Sequence, residues 1–438
     1  MWKRLSRYSS VVFLAFLFST NSPAQQAAPA VDPFMQVAKL TASSDRGGQL
    51  VGTSVAVDGD TVVVGYPYTY NANGAGEALV FVKPASGWKN LTQAAVLVPS
   101  DGTAGNYFGT AVTIQGDVIV VGSVQDQFYV IGPGAVYVYV KPTGGWTGQL
   151  TETAKLVASD GMMGDGLGTG VSINGDKIVA GAPGSYPSTT PGAAYVFVKP
   201  TGGWKNSTET AKLTASDGVI GDSLGYSASI DRKNVAVGAP SNQLTGAAYL
   251  FVEPSGGWKN MTQTAKLTAS DAAKGDALGY SVSIDGNTIA AGAPYASIGS
   301  NQQQGAAYVF VEPAGGWKDM TQTAKLTEGD GETRDMLGFS VAINGNVLAT
   351  GAAQYSRGPT LLQGGPAFWL EGAVYIFTES RGGWKTGTSK TKLNGSDARY
   401  KAYLGSSLCF KGNTIVSGTP ALSYFAPWQG AAYIFQRP

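Results

Sequence analysis

Bulky and small or polar residues alternate along most of this chain in short runs, which is the two-residue period of β-strands and not the 3.6-residue period of helices. Residues 278–284, Leu-Gly-Tyr-Ser-Val-Ser-Ile, form one such run. Asp285-Gly286 follows as a two-residue hairpin turn, a conformation that needs positive φ at both centres. Thr288 to Ala291 make a second strand, stopped by Gly292-Ala293-Pro294. After a loop, Gly305 to Val311 read as a third strand. Pro313 to Gly316 turn the chain, and Trp317 to Leu326 are expected to form a fourth strand.

The same layout repeats. Leu at 40, 97, 156, 213, 267, 326 and 393, usually in A-K-L, and Gly at 52, 109, 168, 225, 279, 338 and 405 recur in one register, every 54–67 residues. Four antiparallel strands per unit, repeated radially, predict an all-β, seven-bladed β-propeller. A G-G-W or S-G-W motif occurs six times, at Trp88, Trp146, Trp204, Trp258, Trp317 and Trp384, and is read as packing at the start of each fourth strand. The seventh unit stops after its third strand, while Phe34 to Leu40 precede the first unit's inner strand as a spare fourth. Pairing the two is expected to close the ring and leave no unpaired central edge.

These motifs resemble the FG-GAP repeat, the blade unit of the integrin α-subunit propeller and of many bacterial secreted proteins. The residues that carry the likeness are Phe108-Gly109, Leu-Gly in other units, and Gly-Ala-Pro at 181–183, 238–240 and 292–294. It covers about residues 37–438. The resemblance implies calcium loops between first and second strands, but here those connections shrink to Asp58-Gly59-Asp60, Asp285-Gly286-Asn287 and similar turns. Calcium takes six to eight oxygens, so these turns are too short for it and no cofactor is expected.

Residues 1–24 combine Lys3, Arg4 and Arg7 with the apolar run Val11 to Phe18 and the small residues around Pro23, the layout of a signal peptide. Residues 25–33 read as a linker and 34–438 as the propeller. The expected location is secreted, periplasmic or at the cell surface. No stretch is long and apolar enough for a membrane span.

The chain has 438 residues, 43% apolar and only 13% charged, so a large core is within reach and long solvated helices are not. Its charge of +1 falls to near −2 without the three leader cations, which leaves no basic excess for nucleic acid. With no His and one Cys, Ser-His-Asp triads, imidazole metal sites and intrachain disulfides are excluded. The positions expected to face the channel, such as Ser54, Ser227, Ser229, Ser281, Ser283 and Cys409, carry no acid, which argues against an enzyme.

The fourth-to-first-strand loops repeat S-D-G-x-x-G-D, with Asp101, Asp160, Asp165, Asp217, Asp222, Asp271, Asp276, Asp330, Asp335 and Asp397. Recurrence in unit after unit favours turn-forming structure over a single active site. The loops between second and third strands vary most and are rich in aromatics: Tyr66, Tyr68, Tyr70, Tyr129, Tyr186, Tyr295, Tyr355, Trp369, Tyr424 and Trp428. The longest, residues 354–371, adds Glu371. Aromatic faces beside amides and carboxylates suit sugar rings or protein hot spots. The expectation is an exported, non-catalytic binding module for a glycan or a surface protein. Two alternatives stand: a polysaccharide hydrolase using Asp330, Asp335 and Glu371, and a structural scaffold or assembly subunit.

Overall fold

The computed structural model describes residues 33–43, 50–67, 74–127, 130–184, 189–354, 371–389, 391–397, 402–420 and 430–437. The expected leader, and the linker up to Asp32, lie outside them. Residues from Pro33 onward form one compact unit.

Seven sheets follow one another along the chain, each entered by its innermost strand: Val55–Asp58, Phe108–Gln115, Val171–Asn174, Ser227–Asp231, Ser281–Asp285, Leu337–Asn344 and Ser407–Lys411. These seven strands touch in a closed circle, so the molecule is a seven-bladed propeller. Blade 5 shows the pattern, with Ser281–Asp285, Thr288–Ala293, Ala306–Val311 and Ala324–Glu328 hydrogen-bonded in that order. Asp285 pairs with Thr288, so the two-residue turn is Gly286-Asn287, one residue later than expected, and of the two only Gly286 has a positive φ, +60°.

One expectation needs correction. The stretch from Trp317 to Leu326 is not a single strand: Met320–Thr321 pairs parallel with Leu267 and Thr268 of blade 4, and only Ala324–Glu328 belongs to blade 5. The physical reason is the outer edge of the blade, which would otherwise be unpaired; among the described residues every blade but the sixth gains a fifth strand in this way. The segment after each Trp crosses to cover that edge. Gln322 fixes the crossing by exchanging two hydrogen bonds of 2.9 Å with Ser270. Asn90, Asn206 and Asn260 do similar work, each accepting the backbone N–H of a lysine in the blade before.

Ring closure is as expected. Met35–Thr41 pairs antiparallel with Ala431–Gln436 and completes blade 7, and Leu91–Thr92 adds its fifth strand.

The core is divided among the seven seams between blades, each with its own apolar cluster. Six seams hold one Trp of the G-G-W series, all 3–9% exposed, which bears out its packing role. The seventh, between blades 6 and 7, has Phe34 instead, set edge-on to Phe410 at 5.5 Å and covered by the Arg437 guanidinium at 4.4 Å. Removing an aromatic wedge of this size costs about 3–5 kcal/mol.

Nearer the axis the seams are drawn tight by small residues. A Cβ on Gly292 would lie 1.9 Å from the Gly338 carbonyl oxygen of the next blade, and one on Gly418 2.0 Å from that of Gly52. Ser281 donates to the same Gly338 carbonyl at 2.9 Å, and Ser283 accepts the Ile343 N–H at 3.1 Å. Ser54, Ser227, Ser340 and Ser407 repeat the first bond, and Ser172 and Ser229 the second. At the 7-to-1 seam the Cys409 thiol takes the serine's place, accepting the Val57 N–H at 3.4 Å, and burial pushes its pKa up.

Candidate functional site

The hairpin turns on one face are interlocked. Asp58 accepts the Gly116 N–H of the next turn at 2.6 Å, Asp231 that of Gly286 at 2.9 Å, and Asp285 that of Gly345 at 2.5 Å. Carboxylates in the turns read from sequence as too short for calcium therefore join neighbouring blades.

The opposite face carries the repeated aspartate loops, and in the four that hold two acids both are engaged in the fold. Asp271 accepts the Tyr308 hydroxyl at 3.1 Å and the Lys325 ammonium at 2.5 Å, while that ammonium lies 5.5 Å from the centre of the Tyr308 ring. The clamp recurs as Asp101–Tyr137–Lys155, Asp160–Tyr195–Lys212, Asp217–Tyr249–Lys266, Asp330–Tyr375–Lys392 and Asp397–Tyr433–Lys39. Blade 1 has Leu79 and Val96 at the Tyr and Lys positions. Partial burial raises these carboxyls, but the lysine and the tyrosine hydroxyl outweigh it and hold them below the usual range. Burial, and then the carboxylate beside each hydroxyl, pushes Tyr137, Tyr195, Tyr249 and Tyr308 far up.

The second acid folds back on its own turn. Asp165 accepts the Met162 N–H at 2.8 Å, Asp276 that of Ala273 at 2.8 Å, and Asp335 that of Glu332 at 2.7 Å. Asp222 accepts the Val219 N–H and also the Asn242 amide at 2.8 Å. All four are buried. Of the acids named for a hydrolase, Asp330 is thus clamped, Asp335 holds a turn, and Glu371 is buried beside the third strand of blade 6.

Among the described residues, the carboxyl displaced most from its ordinary behaviour is one the sequence reading missed. Glu328, 3% exposed, ends the fourth strand of blade 5, and neither carboxyl oxygen has a hydrogen-bond partner. Burial, reinforced by Asp335 and Asp330, pushes its pKa up to about 10.

At the channel mouth the sevenfold repeat breaks. The residue after the repeated Gly is Thr53, Thr110, Thr169 and Ser406 in blades 1, 2, 3 and 7, and each hydroxyl bonds a carbonyl three residues back. In blades 4, 5 and 6 it is Tyr226, Tyr280 and Phe339. Their rings form a continuous arc, with Tyr280 4.9 Å from each neighbour. Tyr295, on the second-to-third-strand loop of blade 5, meets Tyr280 edge-on at 6.0 Å. All four rings are half-buried.

Of the aromatic candidates read from sequence, the structure places Tyr295 in this arc. Tyr66 is corrected: it ends the strand Thr61–Tyr66, 1% exposed in the 7-to-1 seam, because its strand runs one residue further than the Gly-x-Pro stop implied. Tyr68, Tyr70, Tyr129, Tyr186, Tyr355, Trp369, Tyr424 and Trp428 lie outside the described residues. Tyr226, Tyr280 and Phe339 were missed, although comparing the seven units in register at the residue after Gly exposes them.

The FG-GAP repeat matches at residues 34–81, 91–139, 150–197, 207–251, 261–310 and 320–377, which are blade-length segments in the register just described. The chain belongs to the FG-GAP repeat family. Its FG-GAP units are similar to integrin alpha-3 of Mus musculus and of Cricetulus griseus, each 29% identical over 227 residues, or 50% of this chain and 20% of the relative. The match thus spans about a fifth of those relatives' length. In fold alone, the FG-GAP ring resembles the WD40 β-propeller domain of Doa1. The TM-score is 0.52 at 11% identity, covering 93% of this chain and 98% of that one. Among the described residues, no helix is long and apolar enough to cross a membrane.

Proposed function

We propose that this FG-GAP propeller is an exported, non-catalytic binding module that takes a glycan on the face bearing its variable loops. The observation that carries the reading is the arc Tyr226–Tyr280–Phe339 with Tyr295, confined to three adjacent blades. Four blades fold with Thr or Ser at this position, so the blade unit does not require a ring there. Rings that depart from the repeat at a channel mouth answer to something other than folding. Their faces suit the C–H faces of sugars, and the tyrosine hydroxyls suit sugar oxygens. The loop aromatics Tyr68, Tyr70, Tyr129, Tyr186, Tyr355, Trp369, Tyr424 and Trp428 extend the same proposal. The non-catalytic part is supported by the repeated aspartates, which are tied to tyrosine, lysine and backbone. The similarity to integrin alpha-3 over half the chain supports an adhesion-type role outside the cell.

The test is a glycan array probed with the parent chain, Tyr280→Ala, Tyr280→Phe and a Trp369→Ala/Trp428→Ala double variant, each checked by thermal melt. Stacking predicts binding in the parent and in Tyr280→Phe, with at least about tenfold loss in folded Tyr280→Ala. A blank array, or binding indifferent to both sets of variants, overturns the glycan reading. Loss of parent binding in EDTA would place the recognition on a metal instead.

A further inference from the structure

A second departure from the repeat lies on the outer rim of the same face. The tips of the S-D-G-x-x-G-D loops read Thr103-Ala104, Met162-Met163, Val219-Ile220, Ala273-Lys274 and Glu332-Thr333. Only the two flanking blade 3 carry a pair of large apolar residues. Both pairs project into solvent: Met162 and Met163 are 51% and 52% exposed, Val219 and Ile220 61% and 67%. Leu244, 58% exposed, stands on the adjoining loop of blade 4. These five make up more than half of the nine exposed large hydrophobics among the described residues, and all lie on two neighbouring blades.

Each of these tips is tied to the loop beside it. Met162 lines a cavity of about 140 Å³ together with Pro191, and a Cβ on Gly218, one residue before Val219, would sit 3.2 Å from the same proline. Asp222, at the end of the Val219 loop, accepts the amide of Asn242 at 2.8 Å, which fixes the short turn Asn242–Leu244 beside it. The tips are therefore anchored at their bases by Asp165 and Asp222, which are buried, while their apolar ends point outward.

We propose that this apolar sector is the contact between two copies of the chain. The five side chains leave on the order of 500 Å² uncovered, the size of the largest apolar patch on an ordinary monomer, about 300–600 Å², which is often an interaction site. Two such patches meeting about a twofold axis would bury about 1,000 Å² before any polar rim is counted, which is the size at which a specific interface begins. A self-complementary contact also fits the charge. The neighbouring Asp160–Lys212 and Asp217–Lys266 pairs are internally neutralised, so a second copy brings no like-charge repulsion. An anionic membrane would call for a basic rim, and Lys274 is the one cation at these tips. Sugar recognition would call for ring faces, and these side chains are aliphatic or thioether.

Sedimentation of the parent chain and of a Met163→Asp/Ile220→Asp double variant from about 1 to 100 µM tests the proposal. The parent is expected to move toward twice its monomer mass over that range, and the variant to remain monomeric with an unchanged melt. A Val219→Cys variant is expected to form a disulfide-linked dimer on mild oxidation, since Cys409, the one native thiol, is held at the 7-to-1 seam. A monomeric parent at 100 µM overturns the proposal, as does a dimer that survives the double substitution. Tip-dependent flotation with phosphatidylcholine vesicles, or tip-dependent capture of a different protein by a monomeric parent, does so in favour of another occupant. Tyr280→Ala is expected to leave the mass unchanged, which separates this outcome from that of the glycan test.

Discussion

Glu328 stands where blades 2, 3 and 4 hold Ala158, Ala215 and Ala269, so a carboxyl occupies a place built for a methyl group. Its neighbours Asp335 and Asp330 oppose ionisation, Lys392 only partly offsets them, and burial opposes it most. The folded chain therefore binds a proton that the unfolded chain releases at the ordinary value near 4.5. Between that value and about 10 the folded state holds more protons, so stability falls as pH rises across the window. Glu328→Gln keeps the shape without the titration. It is expected to match the parent at pH 4 and to exceed it by about 2 kcal/mol or more at pH 9, measured by urea unfolding at each pH. A parallel pair of curves would show that Glu328 ionises freely. Glu328 and the arc of Tyr226, Tyr280 and Phe339 were legible in the same way, as exceptions within a strict repeat. What the sequence could not display is burial, and burial turns an unusual Glu into a protonated one.

Elements here are shaped by the blade beside them. Strand periodicity, the two-residue turns and the Gly-Ala-Pro stops are local signals, and they mark the second and third strands of blade 5 within a residue or two. The break between Met320–Thr321 and Ala324–Glu328 has no local signal, because T-Q-T-A-K-L continues the strand pattern while its hydrogen-bond partners lie some fifty residues away in blade 4. The Asp–Tyr–Lys clamp was hidden for the same reason: three recurring residues were each visible, but their meeting point was not. The glycine of Gly-Ala-Pro makes this dependence measurable. Gly292→Ala would drive a methyl into the Gly338 carbonyl and the Ser281 hydroxyl, both fixed by neighbouring strands. It is expected to cost about 3 kcal/mol. Gly286 offers the contrast, with φ +60° and open space around its Cβ position. Gly286→Asn, a residue that tolerates this conformation, is expected to cost less than about 1 kcal/mol. Equal losses from the two substitutions would mean that backbone conformation, and not the close approach of blades, makes glycine necessary.

For the whole molecule, the count of seven units, the six Trp and the spare N-terminal segment made the ring and its closure readable. The identity of the seventh wedge was not readable. Each Trp stands nine or ten residues before the Leu of A-K-L, whereas Phe34 stands six before Leu40, so no alignment of units brings them together. Space does, because Met35–Thr41 leads into blade 7 from the 6-to-7 seam and leaves Phe34 at its entrance. One stretch of chain thus serves two seams: Phe34 fills the gap between blades 6 and 7, while Ala38 and Leu40 pack between blades 7 and 1. A ring loses more than an open array when one member fails, since every remaining blade then belongs to a stack with two free ends. Deleting residues 31–41 is accordingly expected to abolish the single cooperative melt. Phe34→Ala, which keeps the strand and empties one seam, should retain a single transition lowered by about 3–5 kcal/mol. A truncated chain that melts once, at the parent's midpoint, would show that blade 7 closes the ring with three strands alone. A Phe34→Ala chain that melts in two steps would show that the seams fold independently and that closure contributes little cooperativity.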